Sequence, residues 1–232
     1  MKANCTRAEW SGRALCGSCE VRAFVLTSGL AAPALDTILR AVENLQLPQH
    51  GTLYRQATPA PYVYTVRSGV IKLTLDQPNG AQRIVRLLRP GDIVGMEALV
   101  DRAYHHTATA MRAADVCRIP REVVLQLDES NPGVHQSLMR RWQCSLDQAD
   151  AFIVSLSTGP AEARMARLLL MLGCSGGAAD GMPSREEMGA LLGITTETAS
   201  RVVADFKRRG LIRTHNGSVE CDPRALDGLA SA

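Results

Sequence analysis

The spacing of apolar positions divides the chain into stretches of different texture. Residues 1–28 show no sustained period. Leu35, Ile38, Leu39, Val42 and Leu45 then recur at steps of three and four, which predicts a short amphipathic helix closed by Pro48. From about residue 49 to 120 the runs become short and β-rich: Tyr62 to Val66, Val70 to Leu75 and Arg83 to Leu88. Ser68-Gly69, Pro78-Asn79-Gly80 and Pro90-Gly91 lie between them. Short strands at regular spacing with Gly and Pro punctuation predict a β sandwich or jelly roll.

A second change comes at Pro120. Val123, Val124 and Leu127 predict a short helix, and Pro132 opens a long one. Along the long helix Val134, Leu138, Trp142, Leu146, Ala149, Ile153 and Leu156 follow at steps of three or four. They make an apolar stripe about six turns long at 3.6 residues per turn, ended by Gly159-Pro160. Met139 and Phe152 lie off this stripe and can pack the helix on its own domain. The stripe is then available as a coiled-coil seam with a second copy of the chain. Another helix is predicted from Ala161 to Leu172, and a Gly-rich loop from Cys174 to Gly181. The predicted fold class is α+β. Its parts are an arm (1–28), a β-roll domain (29–131), a long helix (132–159) and a helical C-terminal block (160–232).

The C-terminal block reads as a winged helix-turn-helix. Ser184 with Glu187 forms a capping box that opens the first helix, and Met188, Leu191 and Leu192 give it an apolar face. Gly193 permits the sharp turn. Thr195 or Thr196 caps the second helix, in which Val202, Val203 and Phe206 face inward. Glu197, Ser200 and Arg201 share the opposite face. That places an acceptor, a hydroxyl and a guanidinium near the N-terminal part of a recognition helix, the part that reaches base edges. Arg reads guanine O6 and N7, and Glu accepts from cytosine N4. Lys207, Arg208, Arg209 and Arg213 follow around Gly210 and suit phosphate contacts. His215-Asn216-Gly217-Ser218 is a turn between two wing strands. The block holds nine Lys/Arg and nine Asp/Glu, so it is the placement of its cations, and not its net charge, that points to DNA.

Composition changes this picture little, except at cysteine. With 232 residues, 46% hydrophobic and 21% charged, the chain can bury a core without disulfides. A net charge of +3 does not by itself announce nucleic acid. No apolar run approaches the ~20 residues that span a bilayer. The start lacks the apolar core of a signal peptide, so the expected compartment is the cytoplasm. Thiols stay reduced there, and seven cysteines then point to metal or redox chemistry. Cys5, Cys16 and Cys19 crowd the arm, whereas Cys144, Cys174 and Cys221 read as buried small hydrophobes.

Taken together, these motifs resemble the CRP/FNR superfamily of bacterial transcription regulators, and specifically its FNR branch. Arg67 to Leu73 and Leu88 to Gly95 look like the family's sensory jelly roll. Val116-Cys117-Arg-Ile-Pro120 looks like the FNR segment that carries an internal cysteine. Leu192 to Arg201 is close to the FNR recognition helix. The resemblance implies a homodimer on a near-palindromic double-stranded DNA site with TTGAT-type half-sites. Glu197, Ser200, Arg201 and Thr196 would lie at the bases, and Lys207, Arg208 and Arg209 at phosphates. It also implies a contact with RNA polymerase, for which the Thr74 to Ala81 loop is the candidate.

The same resemblance implies what is sensed. FNR proteins hold a 4Fe-4S iron–sulfur cluster on three N-terminal cysteines and one internal cysteine, matched here by Cys5, Cys16, Cys19 and Cys117. Oxygen, redox change or nitric oxide acting on that cluster would control dimerisation and DNA binding in low-oxygen metabolism. The spacing departs from the family's, with Val25 or Ala8 where a cysteine is expected. Cys16 and Cys19 alone could be half of a zinc site or a redox-active dithiol, and Cys117 a structural thiol. A regulator with a thiol–disulfide switch and no cluster is the alternative. Cyclic nucleotide is not expected. Gly91-Asp92 and His106-Thr107 occupy the matching places, the phosphate-holding Arg is missing and Arg102 is displaced. His105-His106 fits a surface loop better than a metal or haem site. No nucleophile–base pair points to an enzyme.

Overall fold

A computed structural model describes residues 9–13, 39–78, 80–172, 182–215 and 218–231. The chain forms two compact units, one of Met1–Leu75 with Arg86–Asp147 and the other of Asp76–Val85 with Gln148–Ala232.

The first unit is built on a seven-stranded antiparallel sheet. Its strands are β1 (Glu9–Arg13), β2 (Glu43–Leu47), β3 (Thr52–Tyr54), β4 (Tyr62–Asp76), β5 (Gln82–Leu88), β6 (Ile93–Val94) and β7 (Thr107–Pro120). The order is β1-β2-β7-β4-β5, with β3 also on β7 and β6 on β4. Val63, Val66, Ile71, Ala108, Ala110, Val116 and Ile119 are fully buried between its faces. A 3-10 turn (Met96–Leu99) and α1 (Arg121–Ser130) follow β6 and β7.

Two expectations fail in this unit. The helix predicted across Leu35 to Leu45 gives way to strand at Glu43, so Leu45 lies in β2, paired with Val116. Leu45 and Leu47 are buried with Gln46 exposed between them. That period of two meets a core strand some seventy residues away, and tertiary pairing overrides the local period. Ser68-Gly69 is not a turn. Tyr62 to Asp76 is one continuous strand whose register on β7 shifts at Ser68 and Val70, a β-bulge centred on Gly69. Thr74 therefore lies buried in β4 and not on the loop assigned to it.

Pro132–Ser157 forms α2, the long helix, and Ala161–Met171 forms α3. Val134 and Leu138 at the start of α2, and Phe152 and Leu156 near its end, are buried within the chain itself. Met139, Leu146 and Ile153 are 49%, 53% and 57% exposed, with Trp142 and Ala149 partly exposed between them. The predicted seam is thus corrected. Val134, Leu138 and Leu156 serve the chain's own core, and the open stripe runs Met139, Trp142, Leu146, Ala149, Ile153. The predicted stripe drifts around the helix, because repeated spacings of four overshoot a 3.5-residue seam. Cys144 is exposed and Cys221 partly so, which corrects their reading as buried hydrophobes. Cys174 lies outside the described residues.

The second unit continues with α4 (Arg185–Leu192), α5 (Thr196–Arg208), the hairpin β8 (Ile212–His215) and β9 (Ser218–Cys221), and α6 (Pro223–Ala230). Arg167 of α3 ties its ends together. Its Nη1 donates to the carbonyls of Ser155 and Thr158 at 2.8 and 3.1 Å, and its Nε to that of Ala230 at 3.0 Å. The last carbonyls of two helices are satisfied in this way by one guanidinium. Helix α6 is not among the predicted elements, although Asp222 at its N-cap and Pro223 at its first position announce it. The loop predicted from Cys174 to Gly181 lies wholly outside the described residues, as do Asn216 and Gly217 of the wing turn. Among the described residues no helix is long and apolar enough to cross a membrane.

Candidate nucleic-acid interface

Helices α4 and α5 are set by local chemistry. The Ser184 Oγ accepts from the Glu187 N–H and the Glu187 carboxylate accepts from the Ser184 N–H, both at 3.0 Å, so the capping box is closed. Gly193 ends α4 in the left-handed region at φ 63°. Gly189 serves the turn differently. A Cβ there would stand 2.8 Å from the Ile194 carbonyl oxygen, which accepts no such approach. A glycine inside a helix costs about 1 kcal/mol against alanine, and here it lets the two helices close. Arg164 of α3 donates to the Leu192 carbonyl at 2.6 Å and fixes the end of α4. Thr195, and not Thr196, caps α5, accepting from the Thr198 N–H at 3.1 Å.

Capping by Thr195 leaves the Thr196 side chain outward. Ala199, Val203 and Phe206 are buried beneath α5, with Val202 partly so. Thr196, Glu197, Ser200 and Arg201 are all exposed on its first two turns. Arg201 donates to the Glu197 carboxylate one turn back, and the two side chains are 77% and 72% exposed. The reading face is therefore present as a preformed polar cluster at the N-terminal end of an exposed helix. Further along, the cations diverge. Lys207 is exposed and makes no ion pair among the described residues. Arg208 pairs with Asp205. Arg209 bonds to Asp205 at 3.1 Å and to Glu162 of α3 at 3.3 Å. Asp205 is not among the residues singled out by the sequence pattern, although its places three and four residues before the two arginines are the signal. Arg213 is exposed on β8.

In the β-roll, Cys117 of β7 is the one member of the expected ligand set among the described residues. Cys5, Cys16 and Cys19 lie outside them. Cys117 carries a buried thiol whose Sγ donates to the Asn44 Oδ1 at 3.4 Å. Asn44 of β2 and Thr65 of β4 stand directly opposite it, so the three share one face of the sheet. The Thr65 Oγ1 is buried with no hydrogen-bond partner among the described residues. The next strand outward from β2 is β1, where Gly12 pairs with Asn44. Cys117 is thus a buried thiol at the centre of a small polar row on the sheet. Among the described residues, no three His, Cys, Asp or Glu side chains converge to hold a metal ion.

The places matched to a nucleotide phosphate are occupied otherwise. Asp92 accepts from the Arg89 N–H at 2.8 Å in a turn, and the Thr107 Oγ1 accepts from the Gln56 N–H at 3.0 Å. His105 is exposed beside Asp101, at 2.8 Å. His106, in the same loop before β7, is partly exposed, with its Nδ1 buried and 3.7 Å from the Glu97 carboxylate.

Comparison with known proteins agrees with both halves of this description. Residues 44–131 match the cyclic nucleotide-binding domain, and residues 163–229 match the Crp-like helix-turn-helix domain. The transcriptional activator protein Anr of Pseudomonas aeruginosa is 29% identical over 89% of this chain and 88% of its own. The fumarate and nitrate reduction regulatory protein of Shigella dysenteriae is 27% identical over 85% and 82%. A CRP-family transcriptional regulator of Thermus thermophilus superposes with a TM-score of 0.71 at 28% identity, over 81% of this chain and 96% of that one. These relatives are transcription regulators. With a β-roll, a long helix and an exposed reading helix in this order, the chain belongs to the CRP/FNR family of DNA-binding transcription regulators.

Proposed function

We propose that this regulator is of the FNR type and controls genes of low-oxygen metabolism from the cytoplasm. It acts through a 4Fe-4S iron–sulfur cluster held by Cys5, Cys16, Cys19 and Cys117. One observation carries the reading: β1, the stretch of arm between Cys5 and Cys16, is hydrogen-bonded to β2 beside Cys117, with Gly12, Asn44 and Cys117 in one register. Gly12 and Cys117 are two strands apart, about 10 Å. Cys16 follows Gly12 by four residues and Cys5 precedes it by seven, distances that an extended chain of roughly 3.3 Å per residue spans. When bound, the cluster supplies an oxygen-labile cross-link between arm and sheet. The anaerobic and fumarate–nitrate regulators among the relatives support the same reading.

The chain's own residues account for the output. Met139, Trp142, Leu146, Ala149 and Ile153 alternate at three and four residues along α2, and this open stripe seats a second copy. The dimer presents two α5 helices to a palindrome, with Glu197, Ser200 and Arg201 at base edges. Contact with RNA polymerase follows from the family. Cyclic nucleotides are not the expected signal, because His106-Thr107 supplies no arginine to pair with an anionic phosphate.

The test is to purify the protein without oxygen and measure its visible spectrum and its iron and sulfide content. Air is then admitted while binding to a TTGAT–ATCAA duplex is followed. Stoichiometric iron and sulfide, bleaching in air and falling affinity are the expected results. A colourless protein that binds equally well in air would overturn the cluster and leave a thiol switch or another signal.

A further inference from the structure

The four cations after the reading face look alike in sequence and are not alike in the structure. Lys207 projects into solvent with no carboxylate beside it among the described residues. Arg209 is held three ways: by Asp205 at 3.1 Å, by Glu162 of α3 at 3.3 Å, and over the Phe206 ring at 6.0 Å from its centroid. It is 40% exposed against 79% for Arg208. Arg208 shares the same Asp205 carboxylate through the other oxygen. Hence Lys207, Arg208 and Arg209 face two carboxylates and present only one net positive charge. The arrangement is mutually reinforcing. The hydrogen bond from Arg209, and then that from Arg208, hold the Asp205 carboxyl below its ordinary value, and Asp205 raises Arg209.

DNA affinity depends on how many phosphates a protein neutralises, because each releases condensed counterions. A cation already matched to a carboxylate releases few, since the carboxylate must be abandoned beside a phosphate. We infer that Asp205 is an internal counter-ion of the recognition helix, withholding Arg209, and part of Arg208, from DNA, so that Lys207 carries the phosphate contact at this end of α5. Asp205 thereby sets how strongly the protein holds DNA of any sequence, and so how far specific sites stand above the rest. The inference rests on the reading of α5 as the DNA-contacting helix.

The test is a salt series of binding to a TTGAT–ATCAA duplex and to a scrambled duplex of equal length. Asp205→Asn is expected to steepen the slope of log K against log salt by about 0.9 on both duplexes, one extra phosphate. It should bind several-fold tighter at low salt and converge with the parent at high salt. Lys207→Ala should flatten the slope by a similar amount, and Arg209→Ala should leave it unchanged. Arg209→Ala added to Asp205→Asn should bring the slope back towards the parent value, although Arg209→Ala alone leaves it unchanged, which a merely structural role of Asp205 would not produce. Circular dichroism checks folding, and Asp205→Ser replaces Asp205→Asn if the latter unfolds. Parallel lines for parent and variant, or uniform weakening at every salt, would overturn the assignment. A parent protein that binds neither duplex when prepared and assayed without oxygen would instead overturn α5 as the DNA-contacting helix.

Discussion

Arg201 and Glu197 hold each other in the free protein, and this bears on the base contacts proposed for them. An exposed pair one helical turn apart is worth only about 0.5 kcal/mol, so DNA can displace it at little cost. A guanidinium with two parallel donors on guanine gains roughly 1–3 kcal/mol of discrimination. Arg201→Ala should therefore lower affinity for the TTGAT duplex by about ten- to a hundredfold while hardly changing binding to scrambled DNA. Arg201→Lys should not restore it, since an ammonium lacks the planar fork. Fluorescence anisotropy on both duplexes decides this, and equal losses on both would make Arg201 a phosphate contact. Glu97 offers a residue-scale test in the β-roll. Burial pushes its carboxyl up, but His106 at 3.7 Å and the His105 N–H at 3.3 Å outweigh that and hold it below the ordinary range. A depressed carboxyl contributes stability above its unfolded value, and that stability is lost as pH falls through the folded value. Glu97→Gln should then flatten the acid side of the stability profile in urea melts. An unchanged acid limb would assign the loss to other carboxylates.

Elements whose cause is local are legible in the amino-acid sequence. Ser184 with Glu187, Gly193 and the threonines at 195–196 predict α4, its turn and α5, and each acts through a neighbour within four residues. Removing a cap costs about 1 kcal/mol, so Ser184→Ala should lower the melting midpoint by a few degrees. Gly189→Ala should cost more, roughly 1–3 kcal/mol by overpacking, because its Cβ meets backbone and not a movable side chain. Melting both variants ranks them, and a larger loss for Ser184→Ala would refute the close-approach account. Elements whose cause is distant are not legible in this way. The partner of Leu45 is Val116, and nothing near Leu45 reports it. The β-bulge at Gly69 reads as a turn because Ser-Gly marks both, and only pairing with β7 separates them. The site divides along the same line. Helical spacing places the reading face, but the Arg209–Glu162 pair joins residues 47 apart and leaves no local signal.

At the scale of the whole molecule, the question is what one chain cannot do alone. The residues left exposed on α2 include Leu146 at 53% and Ile153 at 57%, in step with Met139 and Trp142. On its other faces α2 buries Val134, Leu138, Phe152 and Leu156. With the open stripe as the proposed dimer seam, disrupting it should separate assembly from folding. Leu146→Asp and Ile153→Asp place charges where the single chain already meets water, so the melting midpoint of each unit should hardly move. In a dimer the same charges are desolvated against a second apolar seam, and sedimentation should show monomers. Two linked half-site readers gain about 10²–10⁴ over one. Affinity for the full palindrome should fall by that order, while the weak binding to an isolated half-site stays the same. This pattern distinguishes lost assembly from a damaged reading helix, which would weaken half-site and palindrome together. A variant that remains dimeric and binds the palindrome at full strength would show that the two copies meet on another surface. The stripe on α2 would then need a different occupant, and the proposed cluster control of dimerisation would lose the helix through which it acts.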